Sequence, residues 1–166
     1  MSIFGLKSKK GTASINLPHY DGVPNFPKNW ASELILHDSE SKLEIRPRLG
    51  KMPSVYLPYN KIVGVVHTTE KEISEKGKSV LGRAAIGGVL LGPLGAIVGG
   101  ISGTGKKEKS NLSFYVVINY KPDLDSEDIK VLCFKDNTIM NAAKFINMLK
   151  ERAGLLNNNI QEEINL

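Results

Sequence analysis

Apolar and polar residues alternate along much of this chain and predict a series of short antiparallel strands. Within residues 42–46, Leu43 and Ile45 alternate with charged side chains, which is typical of a strand with one buried face. The polar residues 38–41 separate this strand from an apolar run at 34–37, so we expect a hairpin. The same reasoning predicts strands at 54–57, at 62–67 with a polar extension, at 112–120 and at 129–135.

The hydrophobic period lengthens after residue 136. Apolar residues recur at spacings of three and four from Ile139 to Ala153, which predicts one amphipathic helix over 138–153. Gly154 then supplies a stop signal. The predicted fold class is mainly β, of the α+β kind: a curved antiparallel sheet or partly open barrel that one C-terminal helix caps.

The length of 166 residues fits one domain. Residues 1–14 are rich in lysine and are predicted to be a flexible N-terminal tail, and residues 155–166 a C-terminal tail. The single domain is assigned to 15–154, and its first part, 15–30, contains three prolines and is expected to be an irregular arm docked on the core.

A glycine-rich insertion at 76–106 interrupts the strands. Residues 84–102 carry no charge, and Pro93 lies at their centre. Glycines four apart share one face of a helix and let two backbones approach, so we predict a hairpin of two short helices. The predicted contact residues are glycines and neighbouring aliphatic residues: Gly88, Gly92, Gly95, Gly99, Gly103, Ile86, Leu90, Leu94, Val98 and Ile101.

The insertion has three possible uses: self-association, shallow insertion into a membrane, or a mobile loop. A single helix of this length would reach about 28 Å, barely the ~30 Å of a bilayer, but Pro93 interrupts it. A single span would also separate strands that we expect in one sheet, whereas each arm of a hairpin reaches about 14 Å, enough for one leaflet. Basic residues flank the insertion and would meet anionic headgroups or keep its base hydrated: Lys76, Lys78, Arg83, Lys106 and Lys107.

The net charge and the sequence motifs argue against several classes of function. The net charge of +5 is too small, and too interleaved with acidic residues, to favour nucleic-acid binding. Residues 100–106 fall one residue short of a P-loop, because Lys107 stands where serine or threonine would hold magnesium. The three histidines, His19, His37 and His67, lack the spacing of metal ligands. We therefore expect no enzyme, no cofactor and no small-molecule substrate.

The expected partner is a second copy of the chain, or anionic lipid. The lone Cys133 and the absence of an export signal predict a cytoplasmic protein, peripheral on the inner membrane face if it meets a membrane.

Several segments resemble known families. Residues 43–45, 55–62, 114–120 and the helix 138–153 resemble bacterial PH-like, or GRAM-like, domains. The resemblance implies a bent antiparallel barrel of about seven strands with one C-terminal capping helix. Residues 78–103 resemble the insertion of small Firmicute and phage proteins, and also glycine-zipper segments of membrane-associated proteins. PH-like domains elsewhere bind phosphoinositides or peptides, but the basic residues here match no headgroup motif.

Two functions follow from this resemblance. The first is a non-enzymatic PH-like interaction module whose glycine-zipper hairpin mediates homo-oligomerisation or shallow membrane association. The alternative is a soluble cytoplasmic scaffold or adaptor that binds a protein partner, with the hairpin packed on its own domain.

Overall fold

The computed structural model describes residues 7–9, 11–70, 72, 85–86, 89–90, 113–137 and 139–156. The elements in chain order are β1 (Lys7–Lys9), β2 (Thr12–Asn16), β3 (His19–Asp21), β4 (Ser32–His37), β5 (Lys42–Pro47), β6 (Val55–Pro58), a 3-10 turn (Tyr59–Lys61), β7 (Ile62–Thr69), β8 (Ala85–Ile86), β9 (Val89–Leu90), β10 (Phe114–Tyr120), β11 (Lys130–Asp136) and α1 (Ile139–Arg152). The described part of the chain is thus mainly β, with one helix near the C-terminus.

Two antiparallel sheets enclose the core. The first has the order β1-β2-β4-β5-β6, and the second has the order β3-β11-β10-β7. The predicted hairpin of β4 and β5 is confirmed, with Leu36 opposite Leu43 and Leu34 opposite Ile45. All four side chains are fully buried between the sheets.

Residues 12–21 belong to both sheets. They supply β2 to the first sheet and β3 to the second, and Pro18 lies between the two strands. Pro18 has no N–H, so it fits where the ladder changes partner; its carbonyl still accepts a bond of 2.9 Å from the N–H of Lys135. The predicted irregular arm is therefore wrong at β2 and β3, and the predicted flexible tail is wrong for residues 7–9 and 12–14, which form β1 and part of β2.

The helix α1 packs on the core near β2, β7 and β10. Its buried face consists of Ala142, Phe145, Ile146 and Leu149. The periodicity predicts three of these residues but misses Phe145, and it wrongly includes Ala143, which is exposed. The stop signal is confirmed: Gly154 has φ +70°, its N–H bonds Glu151 O at 3.1 Å, and the N–H of Leu155 bonds Lys150 O at 2.8 Å. These two bonds form a Schellman motif.

The glycine-rich insertion contributes β8 and β9, which pair antiparallel with Ala85 opposite Leu90 and Ile86 opposite Val89. The predicted helix is therefore wrong at these four residues. The β-branched Ile86 and Val89 favour extended backbone, and each neighbouring glycine costs a helix about 1 kcal/mol relative to alanine.

The remaining predicted contact residues of the insertion lie outside the described residues. They are Gly88, Gly92, Gly95, Gly99, Gly103, Leu94, Val98 and Ile101, together with the basic Lys76, Lys78, Arg83, Lys106 and Lys107.

Candidate functional site

Strand β10 of the second sheet is buried on both of its faces. Along β10, Val116 and Ile118 point into the core, whereas Val117 and Asn119 point outward. These outward side chains are nonetheless 0% and 2% exposed. A sheet face that met only water would show exposed side chains at these positions, so another part of the chain covers it.

The described part of the insertion lies near the second sheet. Strand β9 comes within 8 Å of both β10 and β7, measured between Cα atoms. Because the insertion joins the end of β7 to the start of β10, β9 lies near the two strands that it connects.

Cys133 also lies on this outer face, opposite Val117 in the ladder of β10 and β11. Its thiol is buried, and this desolvation raises its pKa well above the ordinary value. A thiol that stays protonated is a poor nucleophile. Cys133 is therefore a packing residue, as the sequence predicts.

The outer face of the first sheet carries a polar cluster centred on Glu44. Its carboxylate accepts hydrogen bonds from Arg46 at 2.9 and 3.0 Å, from His37 at 2.7 Å and from Ser54 at 2.8 Å. Burial alone would raise the pKa of Glu44, but the three donors outweigh that effect and lower the pKa to about 2. We call these four residues the Glu44 cluster.

Sequence reasoning missed the Glu44 cluster. Alternation correctly separates Glu44 from Leu43 and Ile45, but it predicts an exposed carboxylate, whereas Glu44 is 4% exposed. The residues that bury Glu44 come from neighbouring strands: His37 is on β4, and Ser54 directly precedes β6. Only the pairing of these strands would have indicated the cluster. The cluster orders one face of the sheet and leaves the Arg46 side chain half-exposed.

The three histidines each have a hydrogen-bond partner. His19 is buried, and its Nε2 accepts a bond from Val23 N at 3.1 Å, so its Nδ1 carries the proton and donates to Pro27 O at 3.0 Å. His67 bonds the buried carboxylate of Asp136 at 2.8 Å. Among the described residues, no three His, Cys, Asp or Glu side chains come together as metal ligands.

A groove opens where β10 ends and β11 begins, away from the end of the sheet that leads into α1. It has a volume of about 190 Å³ and a mostly apolar lining: Pro24, Ile45, Val55, Tyr56, Leu57, Pro58, Lys61, Tyr120, Pro122 and Leu132. Its one cation, Lys61, donates to the carbonyl of Pro122 and lies 3.8 Å from the carboxylate of Asp123. We call this cavity the mouth groove.

Comparison with protein families identifies the chain. The family described as glycine zipper containing PH domain matches residues 26–142, well over half of the sequence. The chain belongs to this family. This confirms the expected PH-like domain with a glycine zipper, whereas a bacterial or phage origin and the GRAM-like relationship stay predictions. PH-like domains in general are non-catalytic interaction modules.

Searches of curated proteins and of solved structures found no match for this glycine zipper PH domain. Within the described ranges, which omit most of 71–112, no helix combines the length and the apolar character needed to span a membrane.

Proposed function

We propose that this glycine zipper PH domain is a non-enzymatic adaptor that binds a protein partner, with its glycine-rich insertion packed on its own second sheet. The observation that supports this is the burial of the outer face of that sheet, together with the approach of β9 to β7 and β10. An insertion that covers its own domain is not free to enter a bilayer.

The energetics favour this arrangement. Fully burying one valine side chain contributes roughly 1.5–3 kcal/mol relative to exposure, and Val117 is completely buried on the outer face. Asn119 and Cys133 on the same face would also meet water if the insertion moved away. A membrane or a second copy would have to replace this whole contact before it gained anything.

The experiment compares the wild-type chain with a variant that lacks residues 80–103. Light scattering in detergent-free buffer should show a wild-type monomer, and flotation with vesicles of phosphatidylglycerol and phosphatidylcholine should leave it unbound. The deletion should lower the free energy of unfolding, because it exposes the outer face. Flotation of the wild type that the deletion abolishes would contradict the proposal.

The sequence of the insertion favours a second candidate. Its uncharged stretch and basic flanks suit homo-oligomerisation, or shallow association with the cytoplasmic membrane face, through the glycine contact. On this account Gly95→Leu or Gly99→Leu dissociates a defined oligomer, and Gly11→Leu, remote in sequence from the insertion, leaves it intact. A monomeric wild type would exclude the oligomeric form of this candidate.

A further inference from the structure

Among the described strands, β6 lies at the edge of the first sheet. It is the last strand of the first sheet, and among the described strands it pairs only with β5. The ladder continues past its end, where the N–H of Tyr59 bonds Ser41 O at 3.0 Å. In an antiparallel pair such bonds recur at every second residue, so the backbone N–H and C=O groups of Val55 and Leu57 point toward β5. The N–H and C=O of Tyr56 therefore point to that edge.

The mouth groove lies directly beside this edge, because all four residues of β6 line it. Side chains of a strand that pairs with β6 would point alternately toward the groove and toward solvent. The lining is apolar, and its only cation, Lys61, is already bonded to Pro122. The groove therefore suits an aliphatic or aromatic side chain and offers no donor cluster for a phosphate.

The charge beside the groove selects the occupant further. The loop that follows Pro122 carries four exposed carboxylates against three nearby lysines: Asp123, Asp125, Glu127 and Asp128 against Lys61, Lys121 and Lys130. Complementary charge across an interface accelerates association and excludes wrong partners. An occupant with basic side chains next to its apolar anchor matches this loop, and an anionic one does not.

We propose that β6 and the mouth groove bind an extended basic segment of a protein partner, which adds to β6 as a strand and places an apolar side chain in the groove. The inference rests on the proposed adaptor function and names the partner's chemistry. The backbone of Tyr56 provides the hydrogen bonds, the groove provides selectivity for an apolar residue, and the acidic loop provides selectivity for basic neighbours.

The test is selection from a random dodecapeptide library displayed on phage, with the full chain as bait. The selected peptides should have an alternating sequence in which an apolar residue is flanked by lysine or arginine. The winning peptide is then synthesised with a fluorophore, and its Kd is measured by fluorescence polarisation at two salt concentrations. Its binding should weaken at higher salt, since the attraction to the loop is screened.

Two pairs of variants locate the site. Tyr56→Pro removes the N–H at the edge of β6, and an edge strand tolerates proline. This variant should bind the peptide at least tenfold more weakly than Tyr56→Val, which keeps the N–H. The double variant Asp125→Lys/Asp128→Lys should weaken it about tenfold. Glu151→Lys, an exposed charge change on α1, should alter Kd less than twofold.

The outcomes separate this inference from the proposed function. Peptides that bind Tyr56→Pro and Tyr56→Val equally would overturn the site but leave an adaptor. Winners that are acidic, or dimerisation of the chain that Tyr56→Pro abolishes, would overturn the proposed partner. No enrichment with any bait would contradict both the site and the adaptor function.

Discussion

Replacing Glu44 by glutamine should destabilise the domain in a pH-dependent way. The substitution keeps the size of the side chain but removes the charge that Arg46, His37 and Ser54 surround. The pKa of Glu44 falls from 4.5 to about 2 in the folded chain. At about 1.4 kcal/mol per pH unit, this difference corresponds to roughly 3 kcal/mol of folding free energy at neutral pH.

The sign of the pH dependence follows from the lowered pKa. The stabilisation from Glu44 is complete above its unfolded pKa near 4.5, and it is lost as the pH falls from there toward 2. Because an amide retains part of the hydrogen bonding, we expect Glu44→Gln to lower the free energy of unfolding by about 2–3 kcal/mol at pH 7. At pH 3 the difference should shrink to about 1 kcal/mol.

Urea denaturation of both chains at pH 7, 4.5 and 3 measures this difference. Glu40→Gln is the matched control: Glu40 pairs with Lys42 at the surface, where such ion pairs contribute little. A destabilisation by Glu44→Gln that stays the same from pH 7 to pH 3 would show that the charge of Glu44 does not stabilise the fold.

Three further predictions concern single residues. Gly22→Ala should lower the free energy of unfolding by at least about 3 kcal/mol, because the new Cβ would lie 2.0 Å from the carbonyl oxygen of Val131. Gly11 has a similar φ but no atom within 4 Å of a Cβ, so Gly11→Ala should lower it by only about 1 kcal/mol. Urea denaturation compares the two variants. Phe145→Ala, at a fully buried position of α1, should cost about 3–5 kcal/mol in the same assay. The thiol of Cys133 should react with iodoacetamide far more slowly in the native chain than in urea, as mass spectrometry would record; equal rates would contradict its burial.

The parts of the fold that the sequence predicted correctly are those with a local pattern of apolar and polar residues. The hairpin of β4 and β5 has strict alternation around Leu43 and Ile45, and α1 has apolar residues at helical spacing and a glycine stop. Both signals depend on neighbours within one element, so a single sequence contains them. Pro18 suggested irregular structure because proline usually ends a strand ladder. In the fold, Pro18 lies where the chain passes from the first sheet to the second.

The candidate sites were harder to predict because they join distant residues. Glu44 meets Ser54 only through the pairing of β5 and β6, and the mouth groove joins Pro24 to Tyr120. In the insertion, glycine spacing indicated a helical contact, but the same residues are compatible with extended backbone, and at β8 and β9 the chain is extended. The spacing of glycines alone does not distinguish the two conformations.

We propose that the glycine-rich insertion covers the outer face of the second sheet. Thiol reactivity tests it most directly, with Val117→Cys as a probe in a Cys133→Ala background. Val117 is 0% exposed on that face. If the insertion covers this face, the thiol that Val117→Cys introduces should react slowly with a thiol reagent in the full-length variant and fast after deletion of residues 80–103, while circular dichroism still shows the folded sheets. Equal protection with and without the insertion would contradict it.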